Sequence, residues 1–292
     1  MDILEKALEK SDQVEQVKTD NPVAKTLPKP KLARSVPATK GSVTIDWERL
    51  ASEGYLSTLQ GNSGLAEQYR MIKRPLLTNA FSNASEGIVR SNLILVTSSV
   101  PAEGKTFTAI NLATSIANER DKNVLLIDAD VAKPTLAKRL GITESPGLIE
   151  YLEDDSVEFS DISLSTDIPN LQIIPAGKRH TFSTELLSSD RMLDFVAQLS
   201  ERYADRIVIF DSPPLLAATE AEVLASLVGQ VILVVSAETT MQNTVKESMK
   251  KLENCDVVLG LLNKAKHENA MSYYGYGGYG YGQYGRQDEV EE

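Results

Sequence analysis

Six short apolar runs, separated by stretches of helical spacing, constrain this chain more than any other feature. Leu93–Thr97, Asn123–Asp128, Leu171–Pro175, Arg206–Asp211, Gln230–Ser236 and Val257–Asn263 predict strands. Helices are predicted over Thr106–Glu119, Thr184–Arg202, Thr219–Leu227 and Thr239–Asn254. A further one is predicted over Gly64–Leu77, ending near Pro75 or soon after. Strands without a polar face, alternating with helices, belong to a mainly parallel sheet covered on both sides. Ligands on such α/β sheets bind beyond the carboxyl ends of the strands.

One strand-to-helix junction carries chemistry. Ser99-Val-Pro-Ala-Glu-Gly-Lys-Thr106 follows the first apolar run and opens a predicted helix. Amides at a helix N-terminus have no partner in their own helix and point at an incoming anion. This is the arrangement of the phosphate-binding loop, and it implies a P-loop NTPase-like fold. The candidate nucleotide contacts are Ala102, Glu103, Gly104, Lys105, Thr106 and Phe107. Gly104 lets the backbone approach phosphate. Lys105 offers a charge to the β and γ oxygens, and Thr106 a hydroxyl to Mg²⁺. Ser99 stands where the pattern G-x-x-x-x-G-K-[ST] has glycine. Gly-Lys-Thr recurs by chance in many chains; its placement between strand and helix is what gives it meaning.

Three acids fall at predicted strand ends: Asp128 and Asp130 after Val124-Leu-Leu-Ile, and Asp211 after Ile207-Val-Ile-Phe. Singly, each would read as a turn or helix cap. Beside a phosphate loop they fit phosphoryl transfer, which needs acids to hold Mg²⁺ and to accept a proton from the attacking group.

Composition removes other classes. The net charge of −11 over 292 residues argues against a nucleic-acid binder. The 42% hydrophobic content supports a substantial core. A single cysteine, Cys255, allows no internal disulfide and fits a reducing compartment. His180 and His267 lie too far apart in sequence to suggest a metal site or triad. No apolar run is long enough to span a bilayer, and the charged N-terminus does not read as a signal peptide. Membrane attachment is therefore expected only through a partner or a surface contact.

The ends differ from the middle. Asp2–Lys10 could form a short amphipathic helix, and Pro22–Lys40, with four prolines, five basic residues and no acid, reads as an extended linker. The expected division is a flexible segment over 1–42, a globular domain over 43–268 and a disordered tail over 269–292. The tail holds Tyr273, Tyr274, Tyr276, Tyr279, Tyr281 and Tyr284 among glycines too dense for a helix.

The loop Ser99–Thr106, the Asp128/Asp130 strand end followed by Pro134, Asp211-Ser-Pro-Pro214 and the terminal tyrosines resemble the bacterial tyrosine kinases (BY-kinases) of polysaccharide synthesis. The resemblance spans about residues 43–287 and leans toward the exosortase- and exopolysaccharide-associated autokinases; Glu185-Leu-Leu-Ser-Ser189 and Gly260-Leu-Leu-Asn263 also match. It implies ATP- and Mg²⁺-dependent autophosphorylation of the tail tyrosines. Lys105 would bind phosphates, Thr106 and Asp211 would hold Mg²⁺, and Asp128 and Asp130 would assist the metal and activate the tyrosine hydroxyl. Either acid could be the base. Asn263 would lie near the adenine.

The family forms rings through a helix motif E-x-x-R-x-x-R, which corresponds here to Glu67, Arg70 and Lys73, with Arg74 next. Lysine lacks the bidentate fork of arginine. Ala132, beside Lys133, replaces a usual arginine, and Glu220 stands where aspartate is commoner. The resemblance also implies a homo-oligomer, a separate membrane-embedded activator, a tyrosine phosphatase and a cytoplasmic location at the inner face of the membrane. Two alternatives compete with this reading. A partitioning- or division-type ATPase switch carries a signature lysine where Val100 stands. An ATP-gated interaction protein would use the Gly/Tyr tail as a sticky segment.

Overall fold

The computed structural model describes residues 39–56, 63–81, 87–119, 121–143, 145–202 and 205–265. The predicted tail tyrosines, the N-terminal helix, His267 and nearly all of the basic linker lie outside these residues. The strands are β1 (Gly41–Val43), β2 (Leu93–Ser98), β3 (Asn123–Asp128), β4 (Leu164–Thr166), β5 (Leu171–Ile174), β6 (Arg206–Asp211), β7 (Gln230–Ser236) and β8 (Val257–Asn263). They form one sheet in the order β1-β4-β5-β3-β6-β2-β7-β8. All neighbours run parallel except β4 and β5. The chain thus has the mainly parallel, P-loop NTPase-like α/β architecture its apolar runs predicted. The sheet begins slightly earlier than the expected onset at Val43, because Gly41–Val43 pairs with β4.

The helices are α1 (Trp47–Ser52), α2 (Gly64–Phe81), α3 (Lys105–Ala117), α4 (Leu136–Leu140), α5 (Leu148–Glu153), α6 (Phe159–Ile162), α7 (Ser183–Leu187), α8 (Asp190–Arg202), α9 (Glu220–Leu227) and α10 (Gln242–Lys251). Alternate strand residues serve opposite faces. Leu93, Leu95, Leu125, Ile127, Val208 and Phe210 meet α5, α7, α8 and α9 through Leu148, Leu187, Phe195 and Leu224. Ile94, Val96, Leu126, Ile207 and Ile209 meet α2 and α3 through Leu76, Ile110, Leu112 and Ile116. Both layers are buried, which is why these strands read as unbroken apolar runs.

Three helices depart from expectation. The predicted helix Thr184–Arg202 is two helices, α7 and α8. The hydroxyl of Ser189 accepts from the Met192 amide at 3.3 Å, so the serine starts a new helix rather than continuing the old one. Conversely, α2 continues past Pro75 to Phe81. Proline costs a helix one hydrogen bond, but Leu76 beyond it is fully buried and its carbonyl accepts from Gln230 Nε2 at 3.1 Å. Packing outweighs the break. The expected helix Thr239–Asn254 is shorter, at Gln242–Lys251. The carboxyl ends of β2, β3, β6, β7 and β8 share one edge of the sheet, and the residues with chemistry collect there.

Candidate nucleotide and phosphoryl-transfer site

The loop after β2 turns sharply because two of its residues take positive φ: Ala102 at 68° and Gly104 at 105°. At Gly104 a Cβ would also run into the Asn263 side-chain amide, which would have to shift to admit it. Gly104 then caps α3, and its carbonyl accepts from Thr108 N at 2.9 Å. Lys105, Thr106 and Phe107 form the first helical turn, whose amides have no helical acceptor. The loop is braced from β8: Asn263 Nδ2 donates to the Glu103 carbonyl at 2.8 Å, and Lys264 Nζ to the Ala102 carbonyl at 2.7 Å. The Phe107 ring packs on Tyr55, 4.8 Å between centroids, so that half-buried side chain leans on the core.

The acids approach from neighbouring strands. Asp128 and Asp211 are register partners at the ends of β3 and β6. Both are fully buried, and Asp130 is 5% exposed. Lys105 Nζ donates to Asp130 Oδ2 at 2.7 Å, while Asp130 Oδ1 accepts from the Lys133 amide at 3.2 Å. Asp128 spends its oxygens on the chain that follows it. Oδ1 accepts from the Asp130 amide and Oδ2 from the Leu136 amide, each at 3.2 Å. Asp211 differs: neither of its oxygens meets a hydrogen bond of normal geometry. The structure therefore brings Lys105, Thr106, Asp128, Asp130 and Asp211 together, and gives the three acids different surroundings.

Electrostatics follow from that crowding. Burial, with the charges of Asp211 and Asp130, pushes Asp128 well above the ordinary carboxylate range. Burial also raises Asp211 from 3.8 to about 6, although Lys105 and the Thr106 hydroxyl hold it down in part. Lys105 is pulled down by burial, but Asp211 and Asp130 outweigh this and leave its ammonium above its usual value. Three carboxylates face one ammonium, so the site has an excess of negative charge that a divalent cation would offset. Among the described residues no group of three or more His, Cys, Asp or Glu could hold a metal alone. Mg²⁺ takes one or two protein ligands and fills its shell with water and substrate phosphates. The unpartnered Asp211 carboxylate beside the Thr106 hydroxyl is the pair that fits such an ion.

Several neighbours were not foreseen. Thr135 Oγ1 lies 3.2 Å from Thr106 Oγ1; the five-residue helix it precedes shows no periodicity in the sequence, so Thr135 gave no signal. Lys264 had no sequence signal, since a lysine after a strand is ordinary. Glu67 and Arg70 are exposed and paired with each other on α2. Lys73 points inward, donating to the Ser115 carbonyl at 2.7 Å and pairing with Glu119 at 2.8 Å. Arg74, next to it, is exposed. With Phe81 and Lys122 these residues line a groove of about 830 Å³. No helix among the described residues is long and apolar enough to cross a membrane.

The fold and this edge define a P-loop protein of the ATPase type: a family model described as "AAA domain" matches residues 92–263, from the start of β2 to the end of β8. The tyrosine-protein kinase YwqD of Bacillus subtilis (strain 168) is 32% identical over 214 residues, 73% of this chain and 86% of that protein. The tyrosine-protein kinase ptk of Acinetobacter johnsonii is 31% identical over 183 residues, 62% of this chain. The chain spans about a quarter of ptk, 24% of its length. The solved VpsO kinase domain superposes with a TM-score of 0.57 at 31% identity, covering 68% of this chain and 96% of that one. This chain belongs to the bacterial tyrosine-protein kinase family.

Proposed function

We propose that this chain transfers the γ-phosphoryl group of ATP to the hydroxyls of its own terminal cluster, Tyr273, Tyr274, Tyr276, Tyr279, Tyr281 and Tyr284. The observation that carries the reading is the Lys105–Asp130 pair at 2.7 Å beside a buried, unpartnered Asp211, at the mouth of a phosphate-binding loop. In this reading the loop amides and Lys105 bind the phosphates. Thr106 and Asp211 hold Mg²⁺, which neutralises charge on the phosphate oxygens when bound. Asp128 organises the chain from Asp130 to Leu136 and supports the metal indirectly. Asn263 borders the adenine side of the loop.

Asp130 is the proton acceptor. A free tyrosine has a pKa near 10, so the attacking oxygen needs a carboxylate within hydrogen-bond reach. As Lys105 turns to phosphate it leaves an Asp130 oxygen open. The phenolic oxygen then attacks the γ-phosphorus, its proton passes to Asp130, and the bond from phosphorus to the β–γ bridging oxygen breaks, leaving ADP.

The phosphorylation acts in trans between copies assembled through Glu67, Arg70 and the neighbouring basic residues of α2. The wider function is control of exopolysaccharide or capsule synthesis or export. The chain works at the cytoplasmic face of the membrane through a separate membrane-embedded activator, and a tyrosine phosphatase resets it. Mass spectrometry of the purified full chain after incubation with Mg-ATP tests the catalytic core of this reading. Phosphate on tail tyrosines, absent in Lys105→Met, is expected. Equal labelling of the Lys105→Met protein would remove the loop from the mechanism.

A further inference from the structure

Glu103 sits inside the phosphate-binding loop, yet it is only 1% exposed. Its Oε2 accepts from the Val100 amide at 2.8 Å, within the loop. Its Oε1 accepts from the Ser236 amide at 3.2 Å and from the Thr240 hydroxyl. Ser236 ends β7, and Thr240 lies in the turn that leads to α10. One carboxylate therefore ties the loop to a strand end far along the chain. Its own carbonyl is held from β8 by Asn263. The residues on either side of it, Ala102 and Gly104, take positive φ. Ser99 occupies the place where such loops have glycine, and its hydroxyl is buried without a partner, so it does not brace the turn.

A negative charge in an anion-binding loop is electrostatically unfavourable for phosphate. Three donors on its two oxygens show what it is for: it accepts hydrogen bonds that an amide oxygen could not all accept. We propose that Glu103 is a positioning residue. Its carboxylate, gripped by Val100, Ser236 and Thr240, latches the loop onto the end of β7 in the form that receives nucleotide phosphates, while its side chain never touches the nucleotide. This rests on reading the loop as a nucleotide site.

Charge and latch make opposite predictions for Glu103→Gln. Removing a negative charge near the phosphates would tighten nucleotide binding. Losing acceptor capacity toward buried donors would loosen it. The test is calorimetric titration of the full chain with MgADP, alongside thermal unfolding and the steady-state split between KM for ATP and kcat. Glu103→Gln is expected to raise the dissociation constant about tenfold or more, equivalent to about 1.4 kcal/mol. Thr240→Val, which leaves the loop sequence intact, is expected to raise it about threefold. The double variant should lose less than the product of the two, because both break one latch. KM for ATP should rise while kcat at saturating ATP changes little. If Glu103→Gln fails to fold, Thr240→Val carries the test. Wild-type binding with both variants as tight as wild type, or tighter, overturns the latch alone. A wild-type chain that binds no MgADP overturns the nucleotide reading and the latch with it.

Discussion

The Lys105 ammonium and the Asp130 carboxylate lie 2.7 Å apart, with side chains only 12% and 7% exposed. A buried pair of this kind is costly to break one-sidedly, and phosphate is the anion able to replace Asp130 as the lysine's partner. In the proposed mechanism, binding nucleotide and freeing the base are one event. Asp130→Asn is expected to leave ATP binding within a few fold and to lower kcat by about 10²–10⁴, the usual weight of a general base. Lys105→Met should damage KM and kcat together. Steady-state kinetics on the two variants checks this; an Asp130→Asn protein with unchanged kcat would put the base elsewhere.

Asp211 makes the empty site less stable at neutral pH. Its carboxyl titrates at about 6 in the folded chain against 3.8 for the ordinary group. A raised carboxylate value means that the folded state holds a proton the unfolded chain has shed. From this group, stability is therefore greatest below about pH 4 and falls as pH rises toward about 6. Asp128, also raised, acts in the same direction. Asp211→Asn should thus stabilise the nucleotide-free protein at pH 7.5, by on the order of 1–3 kcal/mol, and abolish its activity. The advantage should vanish near pH 4. Urea unfolding of both proteins at the two pH values decides it, and equal midpoints at pH 7.5 would count against a charged, unpartnered Asp211.

The sequence made the sheet legible because its strands are covered on both faces; Leu93–Ser98 and Arg206–Asp211 are buried throughout and had no other reading. The strand-end acids were legible for the same reason, since a carboxylate closing an apolar run is conspicuous. What stayed hidden was short or relational. β1 and β4, three residues each, show no periodicity; β1 exists by pairing with β4, which is itself held on β5. The helix break at Ser188–Ser189 turns on one serine hydroxyl. Which acid caps a loop, which pairs with Lys105 and which is left without a partner depends on side-chain direction across two strands. Spacing along one strand carries no such information. The bond from Glu103 to Thr240 spans 137 residues, beyond any local pattern.

On α2 the expected assembly residues separate into two kinds. Lys73 is 8% exposed and tied to Ser115 and Glu119, whereas Arg70 and Arg74 face outward. Lys73→Met should lower stability by about 1–3 kcal/mol, because Ser115 and Glu119 both lose their partner. Arg74→Ala should leave stability within about 0.5 kcal/mol, as exposed substitutions do, and weaken self-association. Denaturant melts and light scattering separate the two effects. A Lys73→Met protein of full stability that no longer assembles would assign Lys73 to the interface instead.

Replacing all six tail tyrosines with phenylalanine tests the acceptor assignment without touching the loop. Phenylalanine keeps the ring and removes the nucleophilic oxygen, so MgADP affinity should stay within about twofold of wild type while phosphate incorporation from Mg-ATP falls to a small residue. Each phosphotyrosine adds nearly two negative charges. Several of them beside Asp288, Glu289, Glu291 and Glu292 repel one another and the acids around Asp211. The phosphorylated wild-type chain should therefore sediment as smaller species than the unphosphorylated chain, with a difference that shrinks in high salt. The six-phenylalanine variant should show no such shift on addition of Mg-ATP. Full labelling of that variant would move the acceptors out of the tail, and a shift that persists in it would assign the change in assembly to nucleotide alone.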